Sequence, residues 1–332
     1  MNDKIFNKES SPGVSIIILN WNGWKDTIEC LTSISNINYP IFDIIVVDNA
    51  SEDESLMRIQ KHIDVLTNGK PTKFTLIKNK KNYGFAEGNN IGIRFAIQSK
   101  HPDYVLFLNN DTTVDKNFLY ELVRVAEDNV MVGSVQSLLL KPGGKIVDSM
   151  GQELTTWSAR DICMNAEYKK LNENMEIFGA CAAAALYRAD VLEEVGLFDK
   201  DFFAIYEDVD LSWKIRLAGF KSILAVNSIV YHKRNISKSV SEIELGWIKN
   251  DLKRYHLTKN MLILAIRYHP CSFLLNPKYV FKFFLTLMGC FYYSLRSSKL
   301  KQTFRIFKKN FRIRKNLENN HLLKSTQNTW IK

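Results

Sequence analysis

The sequence predicts an α/β chain with a Rossmann-like, mostly parallel central sheet flanked by helices, and three observations carry that reading. Tyr104–Leu108 is wholly apolar and ends abruptly in Asn109-Asn110-Asp111, the pattern of a strand buried on both faces of a parallel sheet just before a ligand-binding edge. Short β-branched runs alternate with helical patterns through the first hundred residues, joined by connections that suit crossover helices. The first two of these runs stop in Asn, Asp and Ser clusters, where the carboxyl ends of parallel strands gather polar side chains.

Taken in order, Val14–Leu19 is a core strand that runs out into Asn20-Trp21-Asn22-Gly23. Residues 24–36 suit a helix with Ile28, Leu31 and Ile34 along one side, stopped by Tyr39-Pro40. Phe42–Val47 is the second strand and closes on Asp48-Asn49-Ala50-Ser51-Glu52-Asp53; a helix follows to about His62, its first turn acidic to match the positive end of the dipole. Phe74–Ile77 is the third strand. It leads into a loop rich in Asn and Gly over residues 79–90, containing Asn82, Gly84 and Gly88, and the next helix is expected from Ile91, with Phe95, Ala96 and Ile97. Past Asp111 the periodicity weakens. Residues 116–127 read as a helix, Val130–Leu140 as one or two strands, and 141–176 as a turn-rich excursion or small hairpins. Ile177–Leu186 is small and apolar, as close backbone packing requires. A helix over 208–218 places Leu211, Ile215 and Ala218 on one side with Gly219 at its end. A strand at Ile223–Val226 precedes Tyr231-His232.

In extended chain Asn109 and Asp111 point the same way. An oxygen pair there can hold a divalent cation against a diphosphate, or simply begin a polar loop. His232, after a late strand, is a second candidate ligand or an ordinary histidine. Capping explains one acid at the start of a helix, whereas Glu207-Asp208-Val209-Asp210 supplies three, so Asp208 or Asp210 suits a general base. No Gly-x-x-x-x-Gly-Lys loop occurs, and Gly84, Gly88 and Gly92 have neither the spacing nor the place of a dinucleotide fingerprint. P-loop and NAD chemistry are set aside on those grounds.

Charge divides the chain. Of 45 Lys and Arg, 18 fall in residues 249–332 beside only two of the 35 Asp and Glu, giving that segment +16 and leaving residues 1–248 at −6. Two parts with different partners are implied. Five scattered cysteines show no metal-ligand spacing, and Cys30, Cys163, Cys181 and Cys290 read as buried, reduced thiols in apolar surroundings. The polar start of the sequence is not a signal peptide, so a cytoplasmic location is expected.

Four blocks together support a family. They are Val14–Asn22 with Val46-Val47-Asp48-Asn49-Ala50-Ser51-Glu52-Asp53, Asn82-Tyr83-Gly84-Phe85-Ala86-Glu87-Gly88-Asn89-Asn90-Ile91-Gly92, Leu108-Asn109-Asn110-Asp111-Thr112, and Gly196–Trp213 with its Glu207-Asp208-Val209-Asp210 core. In order and spacing the chain resembles the inverting family 2 glycosyltransferases of the GT-A fold, within them a bacterial rhamnosyltransferase-like subgroup. The resemblance implies that Asp111 binds Mg²⁺ or Mn²⁺ beside the diphosphate of a nucleotide-sugar donor. Asn109 stands where the family's first metal-site acid falls, which removes one charge from the site. Asp48 would meet the nucleotide base, with Asn20 lining the same pocket, Asn109 and Asn110 on the donor side, and Asn82, Gly84 and Gly88 in a donor-side loop. His232 would complete the metal or diphosphate contacts. Asp208 would be the catalytic base of a single in-line displacement, Glu207 and Asp210 would orient the loop and cap the helix, and Trp213 would pack.

The implied acceptor is a hydroxyl of a glycan or lipid-linked saccharide in cell-surface polysaccharide assembly. The subgroup leans to dTDP-L-rhamnose as donor, with a UDP-hexose or UDP-N-acetylhexosamine as the alternative. A non-catalytic nucleotide-sugar-binding module is the rival of a different class. A nucleotidyltransferase is disfavoured because no Gly-rich basic loop follows the first strand. The expected organisation is a flexible start over 1–13, a GT-A domain over 14–248 (nucleotide-sugar half 14–111, acceptor half 112–248), and a basic helical region over 249–332. In that last region Leu252–Ile266 suits a helix, Tyr279–Leu295 is a borderline membrane span, and Lys299–Lys315 interleaves cations with apolar residues. Monotopic attachment to the anionic inner face of the cell membrane is favoured over a short spanning segment or a soluble helical subdomain. Nucleic acid is not an expected partner, because the cations are interleaved with a very hydrophobic stretch. A homodimer is an arrangement common among peripheral enzymes of this kind.

Overall fold

The computed structural model describes residues 11–67, 73–234 and 251–331. The first half alternates as the sequence indicates: β1 (Val14–Asn20), α1 (Trp24–Ile34), β2 (Phe42–Asp48), α2 (Ser55–Thr67), β3 (Phe74–Lys78), α3 (Gly84–Ser99) and β4 (Tyr104–Leu108). β1 lies between β2 and β4, β2 pairs with β3, and all three ladders are parallel. All five residues of β4 are buried, which is why its run is continuously apolar rather than alternating.

The second half comprises β5 (Thr112–Val114), α4 (Phe118–Glu127), β6 (Val132–Leu140), β7 (Val147–Ser149), β8 (Gln152–Leu154), β9 (Ala159–Asp161), β10 (Met175–Ile177), β11 (Ala184–Arg188), α5 (Ala189–Val195), α6 (Glu207–Leu217) and β12 (Lys221–His232). The large sheet runs β10-β12-β6-β11-β4-β1-β2-β3, with β5 added to β12 and β7 to β6. This corrects the expectation of a mostly parallel sheet. β11 enters antiparallel between β4 and β6, and the β10, β5 and β7 ladders are antiparallel as well. The turn-rich 141–176 stretch supplies the short strands β7, β8 and β9 and the start of β10. Their three-residue length gives no readable alternation.

Helices cover both faces of the sheet. In β1, Ile16 and Ile18 pack in one apolar cluster with α1, α2 and α4, while Ile17 faces the other cluster with α3, α5 and α6, the two-residue period of a strand buried on both sides. Two boundaries differ from the sequence reading. α3 begins at Gly84, not near Ile91, so Gly84 and Gly88 belong to its first turns rather than to a loop. β12 is twelve residues long and carries His232 on the strand itself.

The C-terminal residues form α7 (Asp251–Tyr268), a short 3₁₀ turn (Cys271–Leu275), α8 (Pro277–Arg296), α9 (Leu300–Leu317) and α10 (His321–Trp330). Asn276 caps α8, accepting from the backbone N–H groups of Lys278 and Tyr279, with Pro277 in the first turn. These helices pack on the sheet domain: Phe178, Phe202, Val209 and Trp213 share one apolar cluster with Tyr255, Leu262, Ile263, Tyr268 and Phe307. α6 therefore buries nine of its eleven residues, where its sequence suggests one apolar side. The expected division between 248 and 249 falls outside the described residues, as does most of the expected flexible start. Among the described residues no helix is long and apolar enough to cross a membrane. Cys30 and Cys290 are buried as expected, whereas Cys181 is only partly buried and Cys163, in a turn after β9, is exposed.

Candidate functional site

The carboxyl ends of β1, β2, β3 and β4 lie along one edge of the sheet, and β12 delivers His232 to the same edge through β5. Asn20 and Asp48 face each other in register at the ends of β1 and β2. Both are buried. The Asp48 carboxylate accepts from Asn20 Nδ2 at 2.8 Å and from the Ser51 hydroxyl and N–H at 2.7 and 3.0 Å. Asn20 Oδ1 accepts from the Thr27 hydroxyl at 2.8 Å, which in turn accepts from Asn110 Nδ2 at 3.0 Å. In this arrangement Asp48, Asn20 and Asn110 tie the strand ends to one another, with Asp48 turned inward from solvent.

Next to them, Asn49 donates to Asn82 Oδ1 at 2.9 Å and accepts from Asn79 at 3.0 Å and from the Tyr83 N–H at 3.1 Å. Asn82 Oδ1 also accepts from the Gly84 N–H at 2.8 Å. Gly84 has φ of +79°, and a Cβ there would lie 2.5 Å from the Phe203 carbonyl oxygen; a Cβ at Gly88 would meet Leu19 at 2.7 Å. Gly84 is thus required by its backbone conformation and by the close approach of the loop before α6, while a side chain at Gly88 would have to displace the Leu19 methyls.

Asp111 and His232 come together. His232 Nε2 lies 3.1 Å from Asp111 Oδ1 and 3.3 Å from the Asn109 amide nitrogen, while Nδ1 lies 2.8 Å from Asp148 Oδ2. Burial pulls the imidazolium down, and the Asp111 and Asp148 carboxylates on its two nitrogens more than reverse that, raising it to about 9. Asp148, wholly buried on β7, orients the ring as a second carboxylate behind a ligating histidine does. Its other oxygen lies 3.4 Å from Arg234 Nε, and Arg234 Nη2 donates to Asp161 at 2.6 Å. Among the described residues no three His, Cys, Asp or Glu side chains converge to hold a metal unaided. The groups that do converge are one carboxylate, one imidazole and one amide, a set that suits a hard divalent cation only if the cation takes the place of the His232 Nε2 proton, the amide turns its oxygen inward and a ligand's oxygens complete the set.

Asp208 lies in a cavity of about 210 Å³ lined also by Asp161, Cys181, Tyr206, Glu207 and Arg234. Its Oδ1 accepts from the Val209 N–H at 2.8 Å and its Oδ2 from the Ala182 N–H at 3.3 Å. Burial raises both acids, to about 6 for Asp208 and about 8 for Glu207; Asp161 pushes Asp208 further and Asp208 pushes Glu207. The pair shares its protons between those values rather than titrating singly. A carboxylate held near neutrality in a cavity is suited to taking a proton from an incoming hydroxyl. Asp210, two residues on, differs. Burial would raise it too, but Lys214 and Arg267 hold it below the usual carboxylate range, and Arg267 and Tyr268 reach its Oδ1 at 2.5 and 2.8 Å. Asp210 is therefore a fixed anion rather than a base. Trp213 stacks on Tyr268 with ring centroids 4.7 Å apart, so it packs.

The loop before α6 is unusual in its backbone. Phe203, Ile205 and Tyr206 all have positive φ, between 65° and 74°, a conformation costing each non-glycine residue on the order of 1 kcal/mol or more. Asn260 of α7 lies under it, its amide nitrogen 3.0, 2.8 and 2.6 Å from the carbonyl oxygens of Phe202, Ala204 and Ile205. Lys259 donates to the Asp201 carbonyl, and Arg267 Nη2 pairs with Asp199 at 2.5 Å. The strained turn that presents Glu207 and Asp208 is thus held from the C-terminal helices. Asp148, Asp161, Arg234, Asn260 and Arg267 were not singled out from sequence. Arg234 alone had a local signal, its place two residues after His232.

Comparison with known proteins follows the same division. The chain is similar to the "Low-salt glycan biosynthesis hexosyltransferase Agl10" of Haloferax volcanii, 25% identical over 204 residues, or 61% of each chain. It thus spans about three-fifths of that relative's length. In fold it is similar to GalNAc-T7 solved with UDP, GalNAc and Mn²⁺ (TM-score 0.59, 15% identity, 78% of this chain and 48% of that one). It is also similar to a mannosyltransferase of Pyrobaculum calidifontis solved with GDP-Man and Mn²⁺ (TM-score 0.55, 15% identity, 98% and 88%). Residues 15–196, more than half of the chain, match Glycosyl transferase family 2; the match takes in the strand-end network and Asp111 and stops short of Asp208 and His232. With that match laid over a GT-A arrangement of strands and strand-end side chains, the chain belongs to glycosyl transferase family 2.

Proposed function

We propose that the protein transfers a sugar from a nucleoside-diphosphate donor to a hydroxyl of a glycan or lipid-linked saccharide, with inversion at the anomeric carbon. The observation that carries this is the Glu207–Asp208 pair, raised by burial in a cavity that Arg234 and Asp161 share, and linked through Asp148 and His232 to Asp111. Asp208 takes the proton of the acceptor hydroxyl while that oxygen bonds to the anomeric carbon and the bond to the departing nucleoside diphosphate breaks. Glu207, protonated over more of the pH range, keeps the pair from carrying two charges. Asp111 and His232, with the Asn109 amide beside them, would hold Mg²⁺ or Mn²⁺, and Asp148 would keep the His232 Nε2 turned toward it. When bound, such a cation neutralises charge on the leaving diphosphate. Asp48 and Asn20 shape the wall of the donor pocket by fixing the loops after β1 and β2, and Asn82, Gly84 and Gly88 seat α3 beside it. Metal-bearing relatives in fold and a hexosyltransferase relative in sequence support the same class.

Replacing Asp208 by Asn tests it. Transfer is expected to fall by at least about a thousandfold, since the base is removed while the donor site is untouched. Donor binding, read calorimetrically with dTDP-L-rhamnose, UDP-GlcNAc, UDP-galactose and GDP-mannose with and without Mn²⁺, should be unchanged in the variant. The resemblance in sequence makes dTDP-L-rhamnose the first donor to try. Equal transfer by the variant would remove Asp208 from the mechanism, and no binding by any donor would favour a module without this chemistry.

A further inference from the structure

We propose that the face built by α8 and α9 docks on an anionic phospholipid leaflet, lying in the interface rather than crossing it. On α8, Phe281, Phe284, Met288, Tyr292 and Leu295 are each more than half exposed. Their spacing of three or four residues places them on a single stripe of the helix. On α9, Phe304 and Phe311 are exposed in the same way, seven residues apart. The ring of Phe304 lies 5.3 Å from that of Phe291, so the two apolar stripes adjoin. Between them runs a groove of about 920 Å³ with Phe283, Leu287 and Phe307 among its walls and Lys308, Arg312 and Lys315 at its rim.

Charge selects the occupant. Lys301, Arg305, Lys308, Arg312 and Lys315 recur every three or four residues along α9 and are all exposed. None of them pairs with a carboxylate among the described residues, whereas Lys309 and Arg314 on the same helix do. A second copy of the chain placed on this face would bring two such basic stripes together, which like-charge repulsion opposes. A leaflet of anionic lipid supplies both complements at once, acyl chains for the aromatic stripe and groove and phosphate groups for the cations. α8 itself is too polar to span, so the geometry is that of a helix lying flat.

The test is flotation of the whole chain with vesicles of phosphatidylcholine containing about 30 mol % phosphatidylglycerol, against pure phosphatidylcholine. The wild type should float with the anionic vesicles and be released by salt. Two double variants at exposed positions, Phe284→Ser with Met288→Ser and Arg305→Glu with Arg312→Glu, should each lower the bound fraction at least about tenfold while donor binding is retained. Equal flotation on both vesicle types, or undiminished flotation of both variants, overturns the proposal. So does a dimer seen by light scattering in the wild type and lost in the Phe284→Ser, Met288→Ser variant, because the face then joins two copies. Flotation reads no turnover, so its outcome is independent of the sugar-transfer proposal.

Discussion

Two regions at one edge of the sheet fix side chains by opposite means. The ends of β1–β4 are tied by neutral amides and hydroxyls around a single carboxylate, Asp48, whose partners are Asn20 at the end of β1 and Ser51 in the loop after β2. The turn before α6 is held by formal charges instead: Arg267 bridges Asp199 and Asp210, and Lys259 is buried against the Asp201 carbonyl. The first arrangement loses little when one member goes, since each remaining group keeps other partners. The second has less reserve: without Arg267, Asp210 keeps Lys214 and Asp199 keeps Lys309, but each loses its nearest cation while its desolvation penalty remains. The structure thus makes the strand ends tolerant and makes the acid-bearing turn depend on helices far along the chain.

The sharpest way to break that contrast is Arg267→Met. It leaves the wholly buried Asp210 with Lys214, 3.1 Å away, as its remaining cation, and is expected to cost about 3–5 kcal/mol in chemical denaturation. Adding Asp210→Asn should recover part of that loss, since the under-compensated charge goes with it. The matching change among the strand ends, Asp48→Asn, is expected to cost about 1–3 kcal/mol. If the two single variants lose the same amount, the distinction between the regions fails.

Asn260→Ala asks whether the C-terminal helices act on chemistry as well as on stability. It removes the donor shared by three loop carbonyls beneath Phe203, Ile205 and Tyr206, so the turn is free to relax from its positive-φ conformation. Displacing a base by about 1 Å costs up to about a hundredfold in rate. The expected result is a fall of about ten- to a hundredfold in kcat with donor Kd unchanged. A loss confined to thermal stability, with kcat intact in the folded fraction, would make Asn260 a structural residue only.

This contrast also explains what the sequence could reveal. β1, β2 and β4 were legible because a strand buried on both faces reads as a largely apolar run, β3 as a short edge run bounded by polar residues, and Asp111 and His232 stood out as candidates because each follows an apolar strand run. The antiparallel insertion of β11 was not, since Ala184–Arg188 is as apolar and short as a parallel core strand. α3 was read too short because its first two turns hold Gly84, Gly88, Asn89 and Asn90, poor helix formers that tertiary contacts with Phe203 and Phe198 override. An excess of acids pointed to Asp208 or Asp210 as a candidate base, and what separates the two in the structure is largely Arg267, 57 residues downstream of Asp210. No local pattern encodes that partner. The basic C-terminal segment likewise read as an appendage with its own partner, whereas one side of it completes the α6 core and the other side carries the exposed stripes.

The smallest expected effect joins the two properties of the acid pair. Glu207 and Asp208 titrate in the folded protein over about 6 to 8, above their ordinary values of 4.5 and 3.8. The folded state therefore keeps protons that the unfolded chain releases, so their contribution to stability is complete below about pH 4 and is lost as pH rises through 6 to 8. Asp199 and Asp210, both depressed, work the other way: their contribution is lost as pH falls, in a window below about pH 4. Activity needs Asp208 ionised, so kcat should rise with pH through about 6 while stability declines over the same range. Asp208→Asn uncouples them. The inactive variant is expected to be more stable than the wild type at pH 7.5, by on the order of 1–3 kcal/mol, and to lose that advantage at about pH 4. Urea denaturation at the two pH values measures it; a variant less stable than wild type at both would mean that Asp208 is held by its Ala182 and Val209 hydrogen bonds more than it is penalised by burial.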